Sequence, residues 1–391
     1  MATDLKREVD ALLEQAVAAR HVPGVVAMVT GRDGPVYAGA FGRRVLGQTA
    51  PMTLDTVVWI ASMTKAITAA AAMQLVEQGK LQLDEPASRW APELDSVQVL
   101  EGFDVSGQAL LRPPKRPVTL RRLLTHTAGF GYEIWNPLLG RYQEQTGVPR
   151  VGSGLNAAFR VPLTFDPGER WQYGINIDWA GKMVEAVSGE RLGAYLRGHL
   201  FDPLAMGDTA FRITPGMRQR LAKIHQRSAD GTLQATDIEV PQEPEFEMGG
   251  DGLYGTADDY LSFVRMILNR GIAGGKRVLE PGTVDLMSRN QIGELQVTPM
   301  VSVLPERSND AEFFPGTPKK WGLSFMINTE AAPTGRSPGS LAWAGLANTY
   351  YWIDPAKGIG GVYLTQILPF ADRVSLSLFH AFEAAVYRSL S

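Results

Sequence analysis

Val57-Val58-Trp59-Ile60-Ala61-Ser62-Met63-Thr64-Lys65 is the stretch on which the reading of this chain turns. Apolar, β-prone residues run directly into a serine, and the pattern then changes. Ala66, Ile67, Ala70, Ala71, Leu75 and Val76 suit a long Ala-rich helix, with Gly79 as its C-terminal cap. The segment predicts a strand-to-helix junction that sets Ser62 and Lys65 on one helical face. An amine so placed stands over the hydroxyl, and a serine becomes a nucleophile when a neighbouring base takes its proton. The helix N-terminus adds a backbone N–H and a positive dipole end, both suited to an oxyanion. Taken alone, the four residues from Ser62 to Lys65 equally describe a capping serine beside a solvated lysine, so the surrounding sequence must decide.

Upstream, Leu5, Val9, Leu12, Leu13, Ala16 and Val17 recur at helical spacing and predict an amphipathic helix ending before Pro23-Gly24. Residues 25–30 and 36–41 predict two strands of a hairpin, joined by Gly31-Arg32-Asp33-Gly34-Pro35. Downstream, residues 81–315 hold shorter helical patterns broken by Pro- and Gly-rich loops. Thr119 is placed to cap a helix over 120–125, and Thr256 one over 257–268. Strand character returns at 321–327, 341–353 and 358–367, and a helix over 372–390 closes the chain. Two β-rich ends flanking a helical middle predict an α/β chain of the α+β type. Residues 1–80 and 316–391 would build one mainly antiparallel sheet covered by the terminal helices, with 81–315 inserted as a mainly helical domain. The active site is expected in the cleft between them.

Composition narrows the function classes. Among 391 residues, 38 Lys+Arg oppose 41 Asp+Glu for a net charge of −3, which disfavours nucleic acid or an anionic membrane as partner. With no cysteine, disulfides and thiolate metal sites are excluded. The five histidines, His21, His126, His199, His225 and His380, show no metal-binding spacing, so no metal and no cofactor are expected. No apolar run approaches the ~20 residues of a membrane span, and the charged start offers no secretory signal. The expected address is cytoplasmic and the expected partner a small molecule; the pattern specifies no oligomeric state.

Four further segments accompany the Ser62 motif: Leu123-Leu124-Thr125-His126-Thr127-Ala128-Gly129, Pro167-Gly168-Glu169-Arg170-Trp171-Gln172-Tyr173-Gly174-Ile175, Asp202-Pro203-Leu204-Ala205-Met206-Gly207-Asp208-Thr209 and Leu341-Ala342-Trp343-Ala344-Gly345-Leu346. With them, nearly the whole chain resembles the serine β-lactamase and penicillin-binding-protein superfamily. Within it the chain most resembles the family VIII carboxylesterases, relatives of class C β-lactamases. The resemblance implies a β-lactamase/transpeptidase-like fold, Ser62 as the acylated nucleophile and Lys65 as its partner. It implies that Tyr173 is the tyrosine of the Tyr-x-Asn motif, a phenolate or proton relay. Trp343-Ala344-Gly345 falls where β-lactamases carry Lys-Thr-Gly, and the backbone N–H groups of Leu346 and Ser62 would form the oxyanion hole.

Two departures bear on the substrate. The motif reads Tyr173-Gly174-Ile175, with Asn176 one residue too late to supply the amide that grips an acylamino side chain. The lysine of Lys-Thr-Gly is Trp343, which removes the cation that would pair with the carboxylate of a penicillin or cephalosporin. A neutral carboxylic ester is therefore the expected substrate, with weak or no β-lactamase activity. A β-lactamase, a D-amino-acid peptidase, an acyltransferase on the same site and a non-catalytic penicillin-binding-like sensor are the alternatives. Phe130, Tyr132, Trp135 and Trp171 lie near these motifs; Tyr132, Trp135 and Trp343 are expected to wall the substrate pocket, whereas Tyr351 and Trp352 read as core.

Competing constellations are weaker. Gly335-Arg336-Ser337-Pro338-Gly339 satisfies Gly-x-Ser-x-Gly, but the residue after that serine must donate its N–H to an oxyanion and proline has none. It reads as a surface loop. His126 lies in a Thr-His-Thr turn that hydrogen bonding explains. Asp258-Asp259 complement a helix dipole, and Asp84-Glu85 read as a solvated helix start.

Overall fold

The computed structural model describes residues 2–390. Helix α1 (Ala2–Ala18) leads into strands β1 (Gly24–Gly31) and β2 (Pro35–Gly42), which pair antiparallel with a bulge between Val29 and Thr30. The run before the serine shortens to β3 (Val58–Trp59). It is followed by a 3-10 turn, Ala61–Met63, and then by α2 (Thr64–Glu77). Thr119 caps the short helix α3 (Leu120–Leu124) by accepting the Arg122 N–H, a contact worth about 1 kcal/mol. Helix α4 (Asn176–Ser188) begins just after Tyr173. Strand β4 (Tyr254–Gly255) precedes α5 (Ala257–Leu268), capped by Thr256. The late strands are β5 (Lys319–Trp321), β6 (Met326–Asn328), β7 (Leu341–Gly345), β8 (Thr349–Asp354) and β9 (Ile359–Leu364), before helix α6 (Arg373–Arg388).

One antiparallel sheet of seven strands joins both ends of the chain in the order β5-β6-β7-β8-β9-β1-β2. Its centre is buried on both faces, and side-chain alternation shows how. Tyr350 and Trp352 of β8 pack on Phe379 of α6, while Tyr351 between them points to the other face and meets Tyr260 of α5. Tyr351 and Trp352 are thus core on opposite sides. Helix α1 packs on β2 and α6, and α5, from the middle of the chain, packs on β1 and β9.

Three strand expectations need correction. The apolar run 341–353 is a hairpin, broken at Leu346-Ala347-Asn348, where Asn348 takes φ +58° and its amide bonds the Ile367 and Pro369 carbonyls. Asparagine tolerates that left-handed geometry because its short polar side chain finds local partners. The run 321–327 likewise splits into β5 and β6 around Ser324, at φ +74°. Beyond Leu364 the chain leaves the sheet, and Ile367–Leu368 pairs in parallel with His225-Gln226. Strand β3 pairs only with β4, outside the main sheet.

One loop and one acid assignment, those of the Ser337 segment and Asp259, also change. The segment around Ser337 is anchored inward, with Arg336 1% exposed and bonded in bidentate fashion to Glu383 of α6 at 2.5 and 2.8 Å. The Ser337 N–H is itself held by Asp354. Asp259 does more than complement a dipole: it is buried and accepts from the Thr209 hydroxyl and the Asp208 N–H at 2.7 and 2.8 Å, and burial pushes its carboxyl up to about 6. Asp84 forms a bidentate pair with Arg121 and precedes a 3-10 turn at Ala87–Arg89.

Candidate active site

Ser62 sits on the 3-10 turn between β3 and α2. Lys65, three residues on in the first turn of α2, comes over Ser62. Ala61, just before the serine, takes φ +47°, a strained conformation for a residue with a Cβ. Helix α2 is buried on all sides from Thr64 to Leu75, which its run of alanines allows. Lys65 is consequently 1% exposed, and its Nζ lies 3.0 Å from Ser62 Oγ, 3.0 Å from the Tyr132 hydroxyl and 2.6 Å from the Gly250 carbonyl oxygen.

Tyr173 arrives from a segment more than a hundred residues later, and tertiary contacts place it. Its ring is surrounded by those of His126, Tyr132, Trp135, Trp171 and Trp343, with centroids 4.7 to 6.3 Å away. The Lys65 amine stands 4.7 Å from the same ring centroid. The Trp343 indole N–H donates to the Tyr173 hydroxyl oxygen at 3.0 Å, leaving the phenolic proton free to act elsewhere. Trp343 is the register partner of Tyr351 and shares its face of the sheet.

The end of β7 closes the site. A Cβ on Gly345 would stand 2.3 Å from the Ile60 carbonyl oxygen, so only glycine lets this strand approach the Ser62 turn so closely. That approach brings Leu346 beside Ser62 in one small chamber, lined also by Trp135, Tyr173, Trp343, Ala344, Gly345 and Phe370. Among the described residues neither the Ser62 nor the Leu346 backbone N–H has a hydrogen-bond partner. Two unspent donors at the mouth of a nucleophile are what an oxyanion needs. An adjoining groove of about 230 Å³ is walled by Tyr132, Trp135, Trp171 and Met300, with Arg170 among its lining residues. A larger cavity of about 600 Å³, lined by Phe159, Trp179 and Lys182, contains none of these groups.

Other candidates separate from this cluster. His126 is fully buried with its Nδ1 against the Asn176 amide at 3.0 Å, and burial holds it well below the usual imidazole range. It is a neutral packing residue behind Tyr173. Asn176 donates to His126 and to the Phe130 carbonyl, so its amide is turned into the core. Ser337 lines neither the chamber nor the groove.

Several groups at the site were not singled out from the sequence: the Tyr132 hydroxyl as a partner of Lys65, the Gly250 carbonyl, Phe370, and the carboxyls of Asp178 and Asp251. Burial holds the Tyr132 phenol well above its ordinary range, so it is a neutral hydroxyl. For Asp178 a signal existed. It is an acid between Ile177 and Trp179, on a helix otherwise apolar at that point. Among the described residues there is no group of three or more His, Asp or Glu side chains able to hold a metal, and no helix long and apolar enough to cross a membrane.

Known proteins resemble the chain along nearly its whole length. Monacolin J acid methylbutanoyltransferase of Aspergillus terreus is 34% identical over 390 residues, covering 95% of this chain and 93% of the relative. Lovastatin esterase of Penicillium rubens is 32% identical over 399 residues, covering 98% of both. The solved structure of unliganded simvastatin synthase from Aspergillus terreus superposes with a TM-score of 0.85 at 32% identity over 97% of each chain. The family described as Beta-lactamase matches residues 9–385. The sheet of both chain ends, the Ser62–Lys65 pair and these matches together make the chain a serine hydrolase-type member of the Beta-lactamase family, with the β-lactamase/transpeptidase-like fold.

Proposed function

We propose that the protein cleaves small carboxylic esters through an acyl-enzyme on Ser62, and that it passes the acyl group to water or to an acceptor alcohol. The observation that carries this reading is the Ser62 Oγ to Lys65 Nζ contact of 3.0 Å beside two unspent backbone N–H donors. Lys65 Nζ takes the Ser62 proton as Oγ bonds to the acyl carbon, and the Ser62 and Leu346 N–H groups hold the resulting oxyanion. When the intermediate collapses, the C–O bond to the alcohol breaks and Tyr173 or Lys65 protonates the leaving oxygen. Water or a second alcohol then gives up its proton to the same pair as its oxygen bonds to the acyl carbon, the bond from that carbon to Ser62 Oγ breaks, and the pair returns the proton to Oγ. Lys65 and Tyr173 act as a coupled pair in these transfers.

Transfer to an alcohol is favoured as a second outcome by two observations. The chamber at Ser62 is walled mostly by apolar and aromatic side chains, and a methylbutanoyltransferase and an esterase both stand among the relatives. A resemblance to the family VIII carboxylesterases is consistent with Trp343 in place of a lysine.

The deciding experiment compares p-nitrophenyl butyrate with a chromogenic cephalosporin, with and without added primary alcohol. Ester turnover should exceed cephalosporin turnover at least a hundredfold, since no cation stands at Trp343 to pair with the cephalosporin carboxylate. Comparable rates on the two would overturn the substrate reading. Transesterified product at the expense of free acid would place acyl transfer alongside hydrolysis.

Trp343→Phe keeps the aromatic contact with Tyr173 but deletes the indole N–H. One hydrogen bond to a reacting phenol is worth about 1–3 kcal/mol in a buried site, so kcat should fall about tenfold to a hundredfold. Steady-state kinetics alongside thermal unfolding checks this; an unchanged kcat would remove Trp343 from the proton path.

A further inference from the structure

Two like charges meet over the loop that leads to Tyr173. Arg122 of α3 spends its Nη1 on the Pro117 carbonyl oxygen at 2.6 Å, and its Nε and Nη2 have no acceptor among the described residues. The guanidinium of Arg116, in the segment Pro113-Pro114-Lys115-Arg116-Pro117, has no hydrogen bond or ion pair among them either. Both face Gly168. A Cβ built on that glycine would stand 3.3 and 3.6 Å from Arg122 Nε and Nη2 and 3.4 Å from Arg116 Nη1, so three N–H-bearing nitrogens converge on one place. The loop beneath them is fixed to the chain just past α3. The Gly168 N–H donates to the Thr127 carbonyl at 2.7 Å, and the Gln172 N–H to that of His126 at 2.9 Å.

The neighbouring acids are committed to other cations. Arg121 bonds Asp84 in bidentate fashion and Arg112 does the same to Asp166, with Lys115 also 3.2 Å from Asp166 and 4.0 Å from Glu169. Guanidiniums brought together without a counter-charge repel, and water screens that repulsion less where one of them is half-buried, as Arg122 is. Burial and the Arg116 charge hold the Arg122 guanidinium below its ordinary range, against the pull of Asp84. An anion held between the two converts one repulsion into two attractions.

We propose that Arg116 and Arg122 form a binding site for a phosphoryl group, carried by inorganic phosphate or by a small phosphate monoester. The Nε–Nη2 edge of Arg122 presents two parallel N–H bonds, which suit two oxygens of one anion, and Arg116 Nη1 supplies a donor for a third. A carboxylate has two oxygens and a single charge. A phosphoryl group has three free oxygens and, near neutral pH, enough charge to answer both arginines. Bound there, it links the 113–117 segment to α3 over Gly168 and stiffens the loop from which Trp171 and Tyr173 follow. None of the three residues lines the Ser62 chamber or its groove, so the site stands apart from the acyl-enzyme reading.

Thermal unfolding of the full chain at constant ionic strength, set with chloride, provides the test. Inorganic phosphate up to about 20 mM should raise Tm along a saturating curve by about 2–4 °C. Acetate over the same range should shift it by less than about 1 °C, because it leaves one donor unused. Phenyl phosphate is the monoester probe: saturation at lower concentration than phosphate assigns the site to a larger phosphorylated molecule, and a weaker response than phosphate assigns it to the free ion. Arg116→Gln should abolish the saturating response. Arg122→Lys keeps the charge but gives up the parallel edge, so it should need about tenfold more phosphate, and it serves if the glutamine variant does not fold. A shift that grows with phosphate without levelling, and is the same in wild type and Arg116→Gln, would be the general effect of an excluded salt and would overturn the site. Equal curves for acetate and phosphate would overturn it as well.

Discussion

Ser62→Ala should reduce ester turnover at least a thousandfold and leave no acyl adduct detectable by mass spectrometry. The magnitude follows from what the substitution removes. Without Oγ nothing carries the acyl group, and the two backbone donors can assist only direct attack by water, which in comparable serine enzymes leaves a small residue of the rate. The fold should survive. Ser62 Oγ makes one side-chain contact, with Lys65, and a lone hydrogen bond contributes about 1 kcal/mol. Ser337→Ala is the control, because that serine lines neither the chamber nor the groove, and its backbone N–H bond to Asp354 and its carbonyl bonds to Asn328 and Ser340 survive the substitution. Full activity in Ser62→Ala with loss in Ser337→Ala would move the site to the second motif.

The largest effect on stability should come from Arg336→Ala. Arg336 and Glu383 are 1% and 0% exposed and joined by two short bonds, and the guanidinium also lies 5.3 Å from the Phe314 ring centroid. Truncating the arginine leaves the Glu383 carboxyl buried without its partner, an arrangement that costs about 3–5 kcal/mol. Urea unfolding should show that loss, a large share of the net stability of a typical domain. Replacing both partners by apolar residues, Arg336→Met with Glu383→Leu, should recover most of it, since the penalty belongs to the orphaned carboxyl. A single variant within about 1 kcal/mol of wild type would refute the claim that this pair pins α6 to the 331–340 segment.

The same Arg336 shows where local pattern stops informing. Gly335-Arg336-Ser337-Pro338-Gly339 is rich in turn formers and one arginine, and such composition reads as exposed loop. Glycine and proline at its ends are exposed as the composition suggests, but the arginine turns inward because a glutamate 47 residues later waits on the buried face of α6. The broken strand at 346–348 is a similar case. Leu-Ala-Asn carries no Gly-Pro signal, and only Asn348 in a left-handed conformation marks the turn.

At the site, legibility followed range. Ser62 and Lys65 could be paired from the sequence because one helical turn fixes their separation. The Thr119 and Thr256 caps were readable for the same reason: each bonds a backbone N–H three residues on. Tyr173 and Leu346 entered through a resemblance of motifs. The Gly250 carbonyl was invisible because a backbone oxygen leaves no trace in residue type. Tyr132 read as an apolar wall because nothing local says where a tyrosine hydroxyl will point.

The sequence by itself determined the alternations that make strands, the periods that make helices, the caps that end them, and the Ser62–Lys65 couple. All of these rest on dihedral preferences and contacts within a few residues. Tertiary structure alone decided that Tyr173 is held within five rings and bonded to Trp343, that Gly345 presses β7 against Ile60, and that the Gly250 peptide bonds Lys65 at one end and Asp178 at the other. Those placements join residues that packing and exclusion of water bring together from distant parts of the chain, and no local preference encodes the meeting.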